Sequence, residues 1–234
     1  MTKRVLITGV SSGIGLAQAR LFLENGYAVY GVDKSDKPDL SGNFYFLQRD
    51  ISKELTLAAL SDFVPSVDIL CNTAGILDAY KPLLDVTDIA LETVFQTNFF
   101  ANVRLTRHYL EKMVIARSGI IINMCSIASF MAGGGGVAYT ASKHALAGFT
   151  RQLALDYARA GIQVFGIAPG AVKTAMTQAD FEPEGLAQWV ADETPIGRWL
   201  EPEEIADLTL YLASGKASAM QGEIIKMDGG WSLK

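Results

Sequence analysis

The chain is poor in the residues that build metal sites, disulfides and nucleic-acid interfaces. Two cysteines and two histidines among 234 residues are too few for any familiar metal-ligand spacing, so we predict no metal site. Cys71 and Cys125 lie in apolar runs, and we interpret them as small core residues of a protein in a reducing compartment. The 20 basic residues are outnumbered by 25 acidic ones, and the net charge of −5 offers no basic surface for nucleic acid or an anionic membrane.

Long apolar stretches are also absent. No run approaches the ~20 residues of a membrane span, and the first apolar run, in MTKRVLITG, is too short for a signal peptide. Half of the residues are nevertheless hydrophobic and only 19% are charged, so the chain can bury a sizeable core. We expect a cytoplasmic protein without membrane contact, built as one domain over residues 1–234.

Apolar runs alternate with longer helical patterns from one end of the chain to the other. Most runs are rich in Val and Ile with little alternation, which is typical of strands buried on both faces of a parallel sheet. The predicted strands are Val5–Thr8, Ala28–Val32, Phe44–Leu47, Val67–Asn72, Gly119–Cys125, Ile162–Ala168 and Glu223–Met227. The predicted helices span 13–25, 52–63, 87–117, 137–160 and 203–213. This order predicts an α/β fold, a single Rossmann-type doubly wound parallel sheet of about seven strands flanked by helices.

A glycine-rich turn follows the first predicted strand and opens the first predicted helix. Its glycines allow the backbone to approach a pyrophosphate, and the helix N-terminus adds partial positive charge. The candidate cofactor-binding residues of this turn are Gly9, Ser11, Ser12, Gly13, Ile14 and Gly15. The spacing Gly-x3-Gly-x-Gly differs from the better-known Gly-x-Gly-x-x-Gly, so the turn alone is weak evidence.

Asp33 ends the second predicted strand, eighteen residues after Gly15. A carboxylate near this offset binds the adenosine ribose 2′-hydroxyl and repels a 2′-phosphate, which favours NAD(H) over NADP(H). The same residue lies in a polar loop and could be a solvated turn acid, and Lys34 beside it could pair with a 2′-phosphate. NADP(H) therefore stays open as the alternative cofactor.

Tyr139 and Lys143 are four residues apart, and Ser126 precedes the tyrosine by thirteen residues. On a helix this spacing places the ammonium beside the phenol, where it favours the phenolate. Because a free tyrosine ionises near pH ~10, a lowered pKa would make it a usable general acid or base at neutral pH. Taken alone, the pair favours the simpler interpretation that a Tyr and a Lys happen to share a helix face.

Together these residues make the sequence resemble the short-chain dehydrogenase/reductase family over essentially the whole chain. Asn72-Thr73-Ala74-Gly75 is similar to the family's Asn-Asn-Ala-Gly motif, with Thr73 as a departure. Pro169-Gly170 is similar to the family's turn beneath the nicotinamide. By this resemblance, the further cofactor-binding residues are Asp50, Ile51, Asn72, Ala74, Gly75, Pro169, Gly170, Val172 and Thr174, together with Tyr139 and Lys143.

The resemblance implies an NAD(P)(H)-dependent oxidoreductase with the catalytic residues Ser126, Tyr139, Lys143 and Asn98. In the family Tyr139 would exchange a proton with the carbonyl or alcohol oxygen, and Ser126 would stabilise that oxygen. Lys143 would lower the tyrosine pKa and bind the nicotinamide ribose. Asn98 would hold a water that relays the proton to solvent.

The sequence leaves the substrate open. We expect specificity to lie in residues 76–84, 127–136 and 175–200. The last segment carries apolar side chains suited to a lid, and Arg198 is its single candidate for binding a phosphate or carboxylate. The lid and pocket candidates are Phe181, Leu186, Trp189, Trp199, Met124, Met131, Met176 and Phe130.

Three activities fit these observations. The substrate is a small-molecule or acyl-thioester carbonyl, handled either by a 3-oxoacyl-[acyl-carrier-protein] reductase or by an NAD-dependent secondary-alcohol, diol or sugar dehydrogenase. A non-catalytic nucleotide-sensing protein is the third interpretation, disfavoured because no member of the catalytic set is missing. The apolar helical segments 87–117 and 137–160 are too hydrophobic to be left exposed. The resemblance implies that they pair between subunits, as a homodimer or homotetramer.

Overall fold

The computed structural model describes residues 2–54, 56–78 and 80–233. Within them one sheet of seven strands runs in the order β3-β2-β1-β4-β5-β6-β7, with every neighbouring pair parallel. The strands are β1 (Arg4–Thr8), β2 (Ala28–Asp33), β3 (Phe44–Gln48), β4 (Ile69–Asn72), β5 (Gly119–Met124), β6 (Ile162–Pro169) and β7 (Ile224–Met227). The predicted doubly wound Rossmann-type fold is confirmed.

Helices cover both faces of the sheet. In the described part of the chain they are α1 (Gly13–Glu24), α2 (Thr56–Phe63), α3 (Asp88–Phe95), α4 (Ala101–Ala116), α5 (Val137–Tyr157), α6 (Ala187–Glu193) and α7 (Pro202–Ala213). Along β1, Val5 and Ile7 join the hydrophobic cluster that includes α7, whereas Leu6 joins the cluster that includes α4 and α5. This period-two alternation between two buried faces explains why the strand reads as a continuous apolar run.

The prediction of a single helix over 87–117 is wrong in one respect. The structure divides it into α3 and α4 by a π turn over Gln96–Phe100. A π turn inserts a residue into a helix that remains helical on both sides, so a helical pattern in the sequence does not separate α3 from α4. Asn98 is the buried residue of this turn, and such turns frequently mark functional positions.

The segment 175–200, predicted only as an apolar lid, also contains regular structure. A 3₁₀ helix over Ala175–Phe181 is followed by α6. Both are short, and Pro183 and Gly185 lie between them, so neither offers the two full turns of periodicity that a helix prediction needs.

The chain order places a crevice between β1 and β4. The chain passes from β1 outward to β3 and then returns to the other side of β1 for β4. Loops leaving the carboxyl ends of these two strands diverge, and ligands of open α/β sheets bind at such switch points. Among the described helices, none combines the length and apolarity that crossing a membrane would need.

Candidate active site

A cleft of about 860 Å³ lies beyond the carboxyl ends of the strands. One end is lined by residues that follow β1, β2 and β3, and we call it the cofactor end. The other is lined by Ile76, Leu77, Tyr80 and residues of the segment 175–200, and we call it the substrate end. The predicted site residues that line the cleft are Gly9, Ser12, Gly13, Ile14, Gly15, Asp33, Asp50, Ile51, Ala74, Gly75, Ser126, Tyr139, Lys143, Pro169, Gly170, Val172 and Thr174. Ser11, Asn72 and Asn98 do not line it.

The glycine turn forms a cradle that side chains would fill. A Cβ on Gly15 would lie 2.1 Å from the Gly9 carbonyl oxygen, and one on Gly9 would lie 2.9 Å from the Ala74 Cα. Gly9 also has φ +74°, which disfavours other residues. Ser12 is the N-cap of α1 without a side-chain cap, and the first turn carries no acid. The open helix N-terminus therefore fits a pyrophosphate.

Thr8 connects the two sides of the crevice and was not identified from the sequence. Its Oγ1 accepts hydrogen bonds from the backbone N–H groups of Thr73 and Ala74, each at 3.0 Å. The Thr73 hydroxyl donates to Gln18 Oε1 at 2.7 Å, so the departure from the family motif gives this position a partner on α1. The sequence signal for Thr8 was its position as a polar residue at the end of an apolar strand.

Asp33 is held by the backbone at the cofactor end. Its two oxygens accept from the N–H groups of Ser11, at 3.0 Å, and Ser35, at 2.9 Å. Ser11 thus faces Asp33 instead of the cleft, and its hydroxyl donates to the Asp36 carbonyl at 2.7 Å. Sequence analysis singled out Lys34 as a cation near this carboxylate.

Two further cations line the cofactor end: Arg49 and Lys53 accompany Lys34. Sequence analysis missed both, because their proximity to Asp33 arises from the pairing of β2 with β3. Nearby, Asp50 accepts a hydrogen bond from the Ser52 N–H at 2.9 Å. Partial burial raises the pKa of Asp50, but the hydrogen bonds with Ser52 outweigh this and leave the pKa below its usual value.

Ser126 and Tyr139 meet at the centre of the cleft. Ser126 follows β5, Tyr139 lies in the first turn of α5, and the Ser126 hydroxyl acts to lower the pKa of the phenol. Ser126 Oγ also accepts from the Ala128 N–H at 3.1 Å and caps a short 3₁₀ turn. This serine is therefore both a strand-end cap and a partner of the tyrosine.

Lys143 lies beside Tyr139 but points to a strand end. Its Nζ donates to the Met124 carbonyl at 2.7 Å and stands 5.5 Å from the centroid of the Tyr139 ring. Burial lowers the pKa of Lys143 to about 8. Burial also raises the pKa of Tyr139, against the opposing effect of the Ser126 hydrogen bond. The expected depression of the tyrosine pKa is therefore absent in this structure, because desolvation of the phenolate dominates.

The two asparagines lie behind the cleft wall. Asn98 Oδ1 accepts from the Ile76 N–H at 2.8 Å and its Nδ2 donates to the Ile76 carbonyl at 2.9 Å. Its amide anchors the segment after β4, and the predicted role of Asn98 in holding a water stays a prediction. Asn72 Nδ2 donates to Asn123 Oδ1 at 2.8 Å. The Asn72 side chain links β4 to β5. In this position it does not contact the cleft in which a cofactor would bind.

Large side chains wall the substrate end. All three tryptophans of the chain line the cleft, together with the following residues: Leu77, Tyr80, Met176, Asp180, Leu186 and Val190. The tryptophans are Trp189, Trp199 and Trp231. Trp231 was not among the pocket residues predicted from the sequence. Among the described residues that line this end, Asp180 is the acid, and no Lys or Arg accompanies it apart from the buried Lys143.

Several predicted pocket residues lie elsewhere. Met124 and Met176 line the cleft, whereas Met131 and Phe130 do not. Phe181 packs on Trp199 with ring centroids 4.8 Å apart and is not part of the lining. The expected anion-binding candidate Arg198 pairs with Glu204 at 2.7 Å outside the cleft. Among the residues that the structure describes, no group of His, Cys, Asp and Glu side chains is arranged to hold a metal ion.

Comparisons with known proteins agree with this geometry. A family profile described as enoyl-(acyl carrier protein) reductase matches residues 9–232. A short chain dehydrogenase of Penicillium roqueforti is 35% identical over 247 residues, covering 98% of this chain and 96% of the relative. A 4-hydroxyisoleucine dehydrogenase complexed with NADH superimposes with a TM-score of 0.93 at 30% identity, covering 100% of both chains. A proposed NAD(P)-dependent gluconate 5-dehydrogenase of Beutenbergia cavernae with bound NADP gives 0.92 at 32% identity, covering 99% of this chain and 97% of that one.

Dehydrogenases that hold nicotinamide cofactors thus resemble this chain along its entire length, in sequence and in structure. The protein is an oxidoreductase that acts on CH–OH groups with a nicotinamide cofactor. It belongs to the short-chain dehydrogenase/reductase family.

Proposed function

We propose that this protein transfers hydride reversibly between NAD(H) and a neutral, largely apolar secondary alcohol or its ketone. The observation that carries the proposal is the contrast in charge between the two ends of the cleft. Lys34, Arg49 and Lys53 all line the cofactor end, whereas the substrate end is aromatic and carries Asp180. Among the described residues that line the substrate end, a carboxylate or phosphate on the substrate would meet no exposed cation, and Asp180 would repel it.

In the proposed reaction, Tyr139 exchanges the proton of the substrate oxygen. Ser126 donates a hydrogen bond to the same oxygen and stabilises its developing charge. The buried Lys143 ammonium supplies positive charge 5.5 Å from the tyrosine ring, and Asn98 keeps the neighbouring wall in place. When bound, the nicotinamide supplies or accepts the hydride. Gly9, Gly13 and Gly15 would bring the backbone against its pyrophosphate.

NAD(H) is the preferred cofactor in this proposal. Asp33 is fixed by two backbone N–H groups and presents a pre-oriented carboxylate to the adenosine ribose. A 2′-phosphate would approach this charge, but it would also approach Lys34, Arg49 and Lys53. We therefore expect NADPH to bind more weakly than NADH, with the difference limited by the three cations.

A 3-oxoacyl-[acyl-carrier-protein] reductase is the second candidate. The description of the matching family profile, which names an acyl-carrier-protein substrate, favours it. The acidic substrate end argues against it, because the phosphopantetheine of a carrier would need basic partners at the cleft mouth.

We also propose that the enzyme works in the cytoplasm as a homodimer or homotetramer. Support for assembly comes from apolar side chains left exposed on and beside α3, α4 and α5. They are Ile89 (77% exposed), Phe100 (43%), Ile115 (77%) and Leu155 (76%). Sedimentation velocity at micromolar concentration tests this, and a monomer would contradict it.

The function is tested first by cofactor titration. Because all three tryptophans line the cleft, energy transfer from tryptophan to the reduced nicotinamide reports binding directly. We expect tighter binding of NADH than of NADPH, and a smaller difference in Asp33→Ser. Asp36→Ser is the matched control in the same loop.

A substrate screen then follows reduced nicotinamide by absorbance. We expect turnover of neutral cyclic and long-chain secondary alcohols, and little turnover of hydroxy acids or 3-oxoacyl thioesters. Asp180→Asn should lower the KM for hydroxy acids and leave that for neutral alcohols unchanged. Preferential turnover of acids by the unmodified enzyme would contradict the neutral-substrate proposal.

A further inference from the structure

Asp78 lies in the irregular segment between β4 and α3, and its carboxylate contacts the helix that carries Tyr139. One oxygen accepts from the Gly136 N–H at 2.6 Å and the other from the Tyr139 N–H at 3.0 Å. Gly136 is the N-cap of α5 and has no side chain with which to cap the helix. Asp78, which lies 58 positions earlier in the chain, therefore accepts the hydrogen bonds of backbone N–H groups at the start of α5.

The space around Gly136 is shaped by this carboxylate. A Cβ at Gly136 would lie 2.6 and 2.7 Å from the two Asp78 oxygens. The glycine has φ −77°, a conformation that any residue adopts, so the backbone does not require glycine here. The requirement comes from the occupied space, and the two residues form a matched pair.

The segment that carries Asp78 is also a wall of the cleft. Ile76, Leu77 and Tyr80 line the substrate end, and Asn98 holds Ile76 from behind. Asp78 is thus bonded to the turn of α5 that bears the acid–base residue, while its neighbours face the substrate.

We propose that Asp78 is a positioning residue, whose carboxylate holds the wall of the substrate end against the first turn of α5 and thereby fixes Tyr139. This inference rests on the acid–base role proposed above for Tyr139. It assigns to Asp78 two measurable effects: one on the placement of the tyrosine and one on its ionisation.

The ionisation effect has a definite direction. Tyr139 is faced by Lys143 from α5, by Cys125 and Ser126 after β5, and by Asp78 and Tyr80 from the cleft wall. Burial raises the pKa of Tyr139 most, and the Asp78 charge adds to this rise. Neutralising Asp78 should therefore lower the tyrosine pKa and shift the pH profile of alcohol oxidation to lower pH.

The first experiment compares Asp78→Asn with Asp85→Asn, which removes an exposed carboxylate from the same stretch of chain. For Asp78→Asn we expect kcat/KM to fall roughly 10- to 100-fold, as for a misplaced catalytic group. The midpoint of the pH profile should move to lower pH, while the Kd for NADH stays within about twofold, since no cofactor contact is involved. Asp85→Asn should match the unmodified enzyme in all three. A change confined to Tm, with kcat, KM and pH profile unaltered, would overturn the proposal.

A double-mutant cycle tests the matched pair. Gly136→Ala should lower kcat/KM in the unmodified enzyme and have little further effect in Asp78→Ala, because the clashing carboxylate is gone. Gly148→Ala, at an open position of the same helix, is the control and should leave kcat/KM unchanged in both backgrounds. Full additivity of Gly136→Ala and Asp78→Ala would contradict the pairing.

Amide exchange separates this inference from the proposed function. The Gly136 and Tyr139 amides should exchange at least ~10-fold faster in Asp78→Asn, since they lose charged acceptors. This readout does not depend on turnover. If Tyr139→Phe kept full activity, the proposed function would fail, whereas unchanged exchange in Asp78→Asn would refute the role of Asp78 itself.

Discussion

The two ends of the cleft differ in how far backbone or large side chains form their walls. The cofactor end is made largely of backbone, where Gly9 and Gly15 leave no room for side chains. The substrate end is made of large side chains from distant parts of the chain, among them Leu77, Trp189 and Trp231. Backbone sites recognise a constant group such as pyrophosphate, whereas side-chain walls can be exchanged without changing the fold. The difference explains why the cofactor class follows from family membership and the substrate does not.

Tyr139, the proposed acid–base residue, lies between the two ends, and removing its hydroxyl should give the largest effect. We expect Tyr139→Phe to lower kcat by ~10²- to 10⁴-fold, the usual contribution of general acid–base catalysis. Binding of NADH, followed by tryptophan energy transfer, should remain unchanged. Tyr157→Phe, at the end of the same helix, is the matched control and should retain activity. Comparable turnover in the two variants would remove Tyr139 from the mechanism.

Gly15→Ala tests the claim that the cofactor end depends on backbone proximity. The added methyl carbon would lie 2.1 Å from the Gly9 carbonyl oxygen, and displacing packed backbone costs ~1–3 kcal/mol. We expect the Kd for NADH to rise at least ~10-fold, matching the lower end of that cost. Gly148→Ala in α5 has open space and should stabilise the fold by up to ~1 kcal/mol. Isothermal titration and chemical denaturation measure both, and normal NADH binding in Gly15→Ala would contradict the backbone cradle.

The buried lysine between the two ends should make stability depend on pH. Burial lowers the pKa of Lys143 to about 8, whereas a lysine in an unfolded chain titrates near ~10.4. Between these values the unfolded chain binds more protons than the folded protein, so the free energy of unfolding should rise with pH from about 8. Below that window the cost of the buried charge is fully present.

Lys143→Met isolates this contribution. Comparing the two proteins cancels the titration of groups that do not interact with Lys143. We expect the difference in unfolding free energy to change by on the order of 1–3 kcal/mol across the window, measured by urea denaturation at several pH values. If the free energies of unfolding of the two proteins changed in parallel with pH, Lys143 would have an ordinary lysine pKa in the folded protein.

The smallest effect is expected outside the cleft. Arg198 is 54% exposed and forms an ion pair with Glu204, and such surface pairs contribute little. Arg198→Ala should leave kcat, KM and NADH binding unchanged, including KM values for acidic substrates. A rise in KM limited to hydroxy acids would show that this arginine reaches the substrate end after all.

Local signals accounted for much of the fold. The alternation of apolar runs and helical patterns predicted all seven strands, with ends that differ from the structure by at most two residues. The long α1 and α5 were predicted because their patterns extend over several turns. Helix α6 was missed because seven residues carry too little periodicity, and the π turn at Asn98 was missed because the chain remains helical on both sides of it.

The candidate site likewise contains features that the sequence predicted and features that it did not. The positions of Gly9, Ser126, Tyr139 and Lys143 relative to the strand ends followed from spacing, since parallel strands bring their carboxyl ends to one edge. Spacing could not indicate that Asn98 holds Ile76 or that Lys143 bonds the Met124 carbonyl. Those contacts depend on side-chain directions that only the packed structure defines.

The sequence by itself determined the succession of strands and helices along the chain, the glycine turn and the family, because each is encoded in short stretches with regular periods or fixed offsets. The tertiary structure alone decided which side chains wall the substrate end, how burial shifts the pKa values of Tyr139 and Lys143, and which residue caps α5. Asp78 and Gly136 illustrate the reason. Their contact joins residues 58 positions apart, and no local pattern records a hydrogen bond that forms only when two segments fold against each other.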